Sequence, residues 1–265
     1  MDKDDWLKRA KDPKYIPGIY NYCDRWCERC PFTSRCLNCD LVEESFGDLR
    51  ENDEINEAFW QKFSEMLQNM LSMVEEMAKE AGVDIDAIDT EENCSDSEAV
   101  RKKSLPDLIS HTSKNYAKSV DDWFNVHNFL FYEKEDEINR ICLISSQHHP
   151  AKEAADINDA TEVIRWYQHQ IHVKLNRAIR SALEEESMDY EDFPKDSDGS
   201  AKVALMGIDR SILAWNMLSA YFPEQKTQML KFAALLENIK SRVEVRFPRA
   251  RDFVRPGFDE IQYNH

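Results

Sequence analysis

Glycine is scarce in this chain, with only six among 265 residues. Sheets joined by tight turns use glycine at positions that need a positive φ, whereas long helices do not. Apolar residues also recur every three or four positions along several segments, which is the period of an amphipathic helix. We therefore expect an all-α protein, a helical bundle of about five long helices with short connections between antiparallel neighbours.

The apolar stripes and the capping residues predict where these helices lie. A helix that starts at Asn52 or Asp53 and runs to about Ala81 carries a stripe rich in methionine, for which packing in the core is the preferred interpretation. Gly82 ends it, and the acidic stretch 82–103 is predicted to be a loop. The next predicted helices run from Ser104 to Tyr132, from Glu135 to Ile144 as a short piece, and from Asp159 to about Glu186. A further helix is predicted to start at a cap at Ser200, and the last one is predicted to follow Pro223.

Five of the seven cysteines lie between Tyr20 and Asp40, at Cys23, Cys27, Cys30, Cys36 and Cys39. A disulfide framework fits them poorly, because their number is odd and such frameworks belong to small secreted domains. Thiolates this close together repel one another unless a cation neutralises them, and a bound metal supplies that cation. The chain is accordingly divided into a cysteine-rich metal-binding segment, 1–40, and a helical bundle, 41–265.

Two ligand schemes remain open. Cys27 and Cys30 with Cys36 and Cys39 form two C-x2-C pairs that could close a tetrahedral zinc site, although the interval between the pairs is short. Alternatively, Cys23, Cys27, Cys30 and Cys36 supply the four thiolates of a [4Fe-4S] cluster and leave Cys39 as a spare.

The segment Cys27-Glu-Arg-Cys30-Pro-Phe-Thr-Ser-Arg-Cys36 resembles the C-x2-C-P-aromatic-x3-C segment of the iron-staple nucleases of the RecB-like family, which carries three ligands of a [4Fe-4S] cluster. The resemblance covers ten residues and implies a [4Fe-4S] ligand loop. In that family the fourth cysteine lies far upstream, whereas here the candidate is Cys23. The chain has no nuclease constellation of the D-plus-ExK type, so the resemblance implies the cluster chemistry and not the nuclease activity.

A second candidate site lies on and before the middle helix, where His148, His149, Glu162, His169 and His172 occur. Carboxylate-bridged di-iron bundles use inward-facing Glu and His side chains. However, Glu162 and His169 share a face that points away from the main apolar stripe, and Asp159 and Glu162 can form a capping box. Solvated or core-packed histidines are therefore the preferred interpretation of this group.

The acidic balance excludes some classes of function. With 51 acidic and 34 basic residues the formal charge is -17, which repels a phosphate backbone, so we expect no nucleic-acid partner. The sequence has no secretory signal and no apolar run long enough to span a membrane, which predicts a location in the reducing cytoplasm. Nucleotide-binding, hydrolase and zinc-protease motifs are also missing.

We therefore expect a cytoplasmic iron–sulfur protein whose cluster has a redox, sensing or structural role, working with a protein or redox partner. One alternative is an interaction or scaffold protein that holds structural zinc. A second alternative is a helical-bundle metalloenzyme that uses the middle-helix histidines.

Overall fold

In the computed structural model, the described residues are 3–46, 57–83, 107–142, 150–185 and 195–260. All regular structure in these ranges is helical, which confirms the predicted all-α class. The α-helices are α1 (Lys3–Ala10), α2 (Leu37–Phe46), α3 (Glu57–Glu80), α4 (Leu108–Cys142), α5 (Pro150–Glu185), α6 (Asp196–Tyr221) and α7 (Lys226–Arg246), with two short 3₁₀ turns before α2.

The chain forms two compact units, Met1–Ser97 with Val254–His265, and Glu98–Phe253. The boundary predicted from the sequence instead lies after residue 40. The difference arises because the structure groups α3 with the cysteine-rich segment and adds the end of the chain to the same unit. Most of the acidic stretch 82–103, including Cys94, lies outside the described residues.

The second unit is a bundle of α4, α5, α6 and α7. Its core contains an aromatic cluster in which the rings of Trp215 and Phe232 lie 4.8 Å apart and those of Trp123 and Trp215 lie 5.5 Å apart. Trp215 Nε1 donates a hydrogen bond to the buried Tyr116 hydroxyl at 3.0 Å. The apolar stripes predicted for these helices are buried, which confirms those stripes, with Ala182 half-buried at the end of one.

Helices α5 and α6 pack closely at Gly207. A Cβ atom at this position would lie 2.8 Å from Tyr167 Cδ1 and 3.3 Å from Ile171 Cγ1. Since real Cβ atoms do not approach other atoms this closely, a larger residue here would force the helices apart.

Several predicted helix starts are wrong. Helix α5 begins at Pro150 and not at Asp159, because proline suits the first helical position and good helix formers follow it. Glu162 is therefore inside the helix, and the expected capping box does not form. Helix α6 begins at Asp196, so Ser200 is a buried residue of its second turn and not its cap.

Helix α4 also differs from the prediction. Asp107 Oδ1 accepts hydrogen bonds from the backbone amides of Ile109, at 2.9 Å, and Ser110, at 3.4 Å, so Asp107 caps the helix in place of Ser104. The helix then continues to Cys142 without a break. The described part of the piece predicted from Glu135 to Ile144 is thus the end of α4, since no glycine or proline separates it from Tyr132, and residues 143 and 144 lie outside the described residues.

Helix α3 differs from the prediction in its burial. Its methionines were expected in the core, but Met70 is 50% exposed and Met77 is 45% exposed. Helical periodicity correctly predicts an amphipathic helix here, but it does not reveal what covers the apolar face. None of the described helices is both long and apolar enough to cross a membrane.

Candidate functional site

The cysteine-rich segment is built from tight turns. One turn spans residues 16–19, in which Gly18 has φ +73° and the amide of Ile19 approaches the carbonyl of Ile16 at 3.4 Å. Two 3₁₀ turns follow, Cys27–Arg29 and Thr33–Arg35. Each turn is followed directly by a cysteine, Cys30 or Cys36, so the turns fix the spacing of the thiols.

The five thiols of this segment line one pocket, together with Ile19, Tyr20, Trp26 and Phe258. None of the five forms a disulfide. Because Cys39 lies in the first turn of α2, the pocket collects donors from the 3₁₀ turns and from an α-helix. The structure thus brings together all five predicted site residues of the segment, including the cysteine that the cluster scheme leaves as a spare.

Individual contacts orient the thiols. The backbone amide of Phe32 donates to Cys30 Sγ at 3.4 Å, and Cys23 Sγ donates to the carbonyl of Tyr20 at 3.5 Å. Cys27 and Cys39 line the same pocket. An N–H group directed at a cysteine sulfur stabilises a thiolate, so this contact would support Cys30 as a ligand once a cation is bound.

The crowding of the thiols has an electrostatic consequence. Burial raises the pKa of the Cys27 thiol to about 11, and Cys39, Cys23 and Cys36 add to the shift because their charged forms would repel a Cys27 thiolate. Burial also raises the pKa of Cys30, although the amide of Phe32 opposes that shift. A cation in the pocket would reverse this balance by stabilising every thiolate around it.

In the described part of the chain, no three His, Cys, Asp or Glu side chains are arranged so that they could hold a metal ion. The thiols line the pocket without converging on one point. The donor set nevertheless fits a thiophilic group, because four or five cysteine sulfurs with no carboxylate or imidazole are the ligands that iron–sulfur clusters and structural zinc prefer. Binding would require the thiol side chains to rotate toward the centre of the pocket.

Residues 255–259 contribute a wall to the pocket, and this contribution was not predicted from the sequence. The rings of Phe258 and Phe32 pack edge to face with centroids 5.1 Å apart. Gly257, at φ +74°, lies against Ile16 and Ile19, where an added Cβ would approach their methyl groups to 3.0 and 3.1 Å. A Pro-Gly pair at 256–257, like the pair at 17–18, was the available sequence signal for a turn.

Two further groups support the segment. Arg255 holds Asp259 through Nε and Nη2, each at 2.9 Å, and this ion pair fixes the turn that carries Gly257 and Phe258. The guanidinium of Arg29 lies 4.1 Å above the ring of Trp26, a cation–π contact that covers one wall of the pocket. Arg25 has φ +55°, which is the left-handed region that residues with a side chain rarely occupy.

The second candidate group does not form a common site in the described part of the chain. Glu162 is exposed and accepts a hydrogen bond from Asn158 at 2.8 Å, and the exposed His169 lies 3.1 Å from an oxygen of Asp121. The ring nitrogens of half-buried His172 contact Ser113, at 3.0 Å, and Asn176, at 2.9 Å. His148 and His149 lie outside the described residues.

Comparison of the chain with protein-family models, with characterised proteins and with solved structures gives no match.

Proposed function

We propose that this chain is an iron–sulfur protein in which Cys23, Cys27, Cys30 and Cys36 hold a [4Fe-4S] cluster. The observation that carries the proposal is the gathering of five thiols around one pocket. The resemblance of Cys27–Cys36 to a known [4Fe-4S] ligand segment favours a cluster over a single metal ion. A reducing cytoplasm, in which the thiols stay available as ligands, is the proposed location.

The geometry favours a structural role for the cluster, with redox chemistry as a second consequence. Between α1 and α2 the chain contains turns and two three-residue 3₁₀ helices, and its buried apolar side chains are those of Tyr15, Ile19 and Trp26. Small regions of this kind generally need a metal or a disulfide to stay folded. When bound, a [4Fe-4S] cluster also carries one electron at a potential that its surroundings set.

The chain's own residues would control that cluster in three ways. The amide of Phe32 would donate to the sulfur of Cys30, which stabilises charge on that ligand. Trp26, with Arg29 above it, and Phe258 would limit the access of water from the sides of the pocket. A partner that exchanges electrons with the cluster would approach through the open side of the pocket, where Cys27 is exposed.

One observation favours structural zinc as a second candidate. Cys39 lines the same pocket as Cys27, Cys30 and Cys36, as a zinc site built from the two C-x2-C pairs requires. In that case the protein would be a scaffold for a protein partner and would have no redox activity.

Metal analysis of anaerobically purified protein tests the proposal. We expect brown protein with broad charge-transfer absorption and about four irons per chain. Colourless protein with one stoichiometric zinc would establish the second candidate, and protein without stoichiometric iron or zinc would overturn both.

Serine substitutions identify the ligands. Cys23→Ser, Cys27→Ser, Cys30→Ser and Cys36→Ser should each abolish iron binding, while Cys39→Ser should retain it and Cys142→Ser serves as the matched control. Loss of metal in Cys39→Ser with retention in Cys23→Ser would instead support the paired zinc scheme.

A further inference from the structure

The five thiols of the pocket come from three separate pieces of chain. Cys27 opens the first 3₁₀ turn, and the amide of Cys30 donates to the Cys27 carbonyl at 3.1 Å. Cys36 directly precedes α2, and Cys39 lies in the first turn of that helix. Residues three positions apart on one helical turn lie on the same side of it, so each C-x2-C pair presents two neighbouring sulfurs. Cys23 belongs to neither pair.

Cys23 lies in a stretch without helical structure before the first 3₁₀ turn. Its sulfur donates to the carbonyl of Tyr20 over the long distance of 3.5 Å. Arg25, two residues further on, has φ +55°, a conformation that costs about 1–2 kcal/mol for a residue with a side chain. Strain of this kind is typical of segments that switch between two arrangements. The stretch that carries Cys23 is therefore the part of the pocket best suited to move.

Cys39, by contrast, is held by the residues beside it. The hydroxyl of Tyr15 donates a hydrogen bond to the carboxylate of Asp40, the next residue of α2. Leu37, the first residue of the same helix, is buried, as is Tyr15. These contacts fix the start of α2, so Cys39 stays at the pocket whether or not Cys23 takes part.

A zinc ion and a [4Fe-4S] cluster require different spacings of four thiolates. With Zn–S bonds of about 2.3 Å, the sulfurs around tetrahedral zinc lie about 3.8 Å apart. The thiolates of a cluster bind four separate irons, so they stand further apart around a larger body. Two paired turns suit the compact zinc site, whereas a ligand from outside both pairs suits the larger cluster. Total charge does not discriminate, because Zn²⁺ and the oxidised cluster core carry the same charge.

We propose that the pocket is a metal-exchange site in which Cys23 and Cys39 alternate as the fourth ligand, an inference that rests on the iron–sulfur function proposed above. Cys27, Cys30 and Cys36 bind in both forms. Cys23 joins them around the [4Fe-4S] cluster, and Cys39 is then a free thiol. In the absence of the cluster, Zn²⁺ is bound through Cys39, and Cys23 is released. Zinc thus keeps the cysteine-rich segment folded when no cluster is supplied.

Alkylation of the full chain tests the exchange without any substitution. Metal-free protein is loaded anaerobically with either iron and sulfide or ZnCl₂, treated briefly with iodoacetamide and digested with trypsin. Cleavage after Arg25 separates Cys23 from Cys39, and fragment masses distinguish Cys39 from Cys36. Because a metal-bound thiolate is a poor nucleophile, Cys39 should be labelled about tenfold more than Cys23 in the cluster form. In the zinc form this ratio should be inverted.

Serine variants form a matched pair for the same test. Cys39→Ser should weaken zinc binding by about 100-fold or more, because one of four thiolates is lost, and should leave cluster assembly unchanged. Cys23→Ser should show the opposite pattern, with an unchanged zinc affinity and no stable cluster. Competition with a chromophoric chelator measures the zinc affinity, and the iron content per chain measures cluster assembly.

Failure of the exchange is distinguishable from failure of the proposed function. Protein that takes up no stoichiometric iron and sulfide overturns the proposed function, and the exchange with it. Protein that assembles the cluster but binds no zinc overturns the exchange alone. The same holds if one cysteine, Cys23 or Cys39, is protected in both forms or is required for both metals, since the site would then have one fixed set of ligands.

Discussion

The ring of Phe258 lies edge-on against the ring of Phe32, with 5.1 Å between their centroids. Phe32 directly precedes the second 3₁₀ turn, and Phe258 itself lines the thiol pocket. The end of the described chain is thus a wall of the cysteine-rich site, and the local stability of that site depends on residues that are distant in sequence.

Phe258→Ala should loosen the cysteine-rich segment. Loss of the half-buried ring and its aromatic contact should cost about 1–2 kcal/mol of local stability. Limited trypsin digestion should therefore cleave after Arg25, Arg29 and Arg35 about 5 to 30 times faster than in the wild type. Phe129→Ala, at a 52% exposed phenylalanine of the bundle, is the matched control and should leave cleavage in this segment unchanged.

Gly257→Ala should be more damaging than Gly82→Ala. Both glycines have positive φ, at +74° and +69°, so alanine is strained at either position. At Gly257 the added methyl group also meets Ile16 and Ile19, whereas at Gly82 nothing lies within 4 Å. We expect losses of about 2–4 kcal/mol and about 1–2 kcal/mol respectively, measured by thermal unfolding. Equal losses would show that the contacts with Ile16 and Ile19 do not constrain position 257.

Arg25→Gly should stabilise the cysteine-rich segment relative to Arg25→Ala. Both variants remove the same charge, but only glycine relieves the cost of φ +55°. After allowance for the greater freedom of glycine in the unfolded chain, we expect a difference of about 0.5–1 kcal/mol in favour of glycine. The Arg29 amide donates a hydrogen bond to the Trp26 carbonyl at 3.1 Å, so its hydrogen exchange would measure this difference in local stability. Faster exchange in the glycine variant than in the alanine variant would contradict this interpretation.

His172 should make the bundle less stable in acid. Burial lowers the pKa of His172 from its ordinary value of 6.5, and the charge of Lys114 lowers it further. Below that ordinary value the unfolded chain takes up a proton more readily than the folded bundle does, so the free energy of unfolding falls as the pH falls.

Urea unfolding at about pH 7.5 and about pH 5.5 compares conditions in which His172 of the unfolded chain is mostly neutral and mostly protonated. His172→Gln should show a smaller loss of stability between these conditions than the wild type. An equal loss in both proteins would mean that other groups account for the acid sensitivity of the bundle.

The bundle was easier to anticipate from sequence than its boundaries. The stripes on α5 and α7 are visible because apolar residues recur at the helical period, and they pack inward as predicted. The first residues of the helices were harder to predict, because a residue such as Ser200 that suits a cap in isolation can be buried inside a longer helix. Tertiary packing, and not local capping preference, decides such cases.

The candidate site, like the bundle, could be predicted from the sequence only in part. Local spacing was sufficient to select the five cysteines, since turns keep residues that are close in sequence close in space. The same reasoning could not find Phe258 or Gly257, because their proximity to Ile16 and Phe32 is a long-range contact. For α3 the helical period predicts an apolar face but not what covers it, and Met70 and Met77, which were assigned to the core, are exposed.

The contact between Phe32 and Phe258 also has a consequence for biosynthesis. A ribosome that adds about 5–20 residues per second makes the cysteines early and the closing aromatic ring only tens of seconds later. During this interval the nascent segment lacks one wall of its pocket, so its thiols are accessible to oxidants and to competing metals. Delivery of the proper metal is therefore expected only after Phe258 has emerged, well after the cysteines themselves.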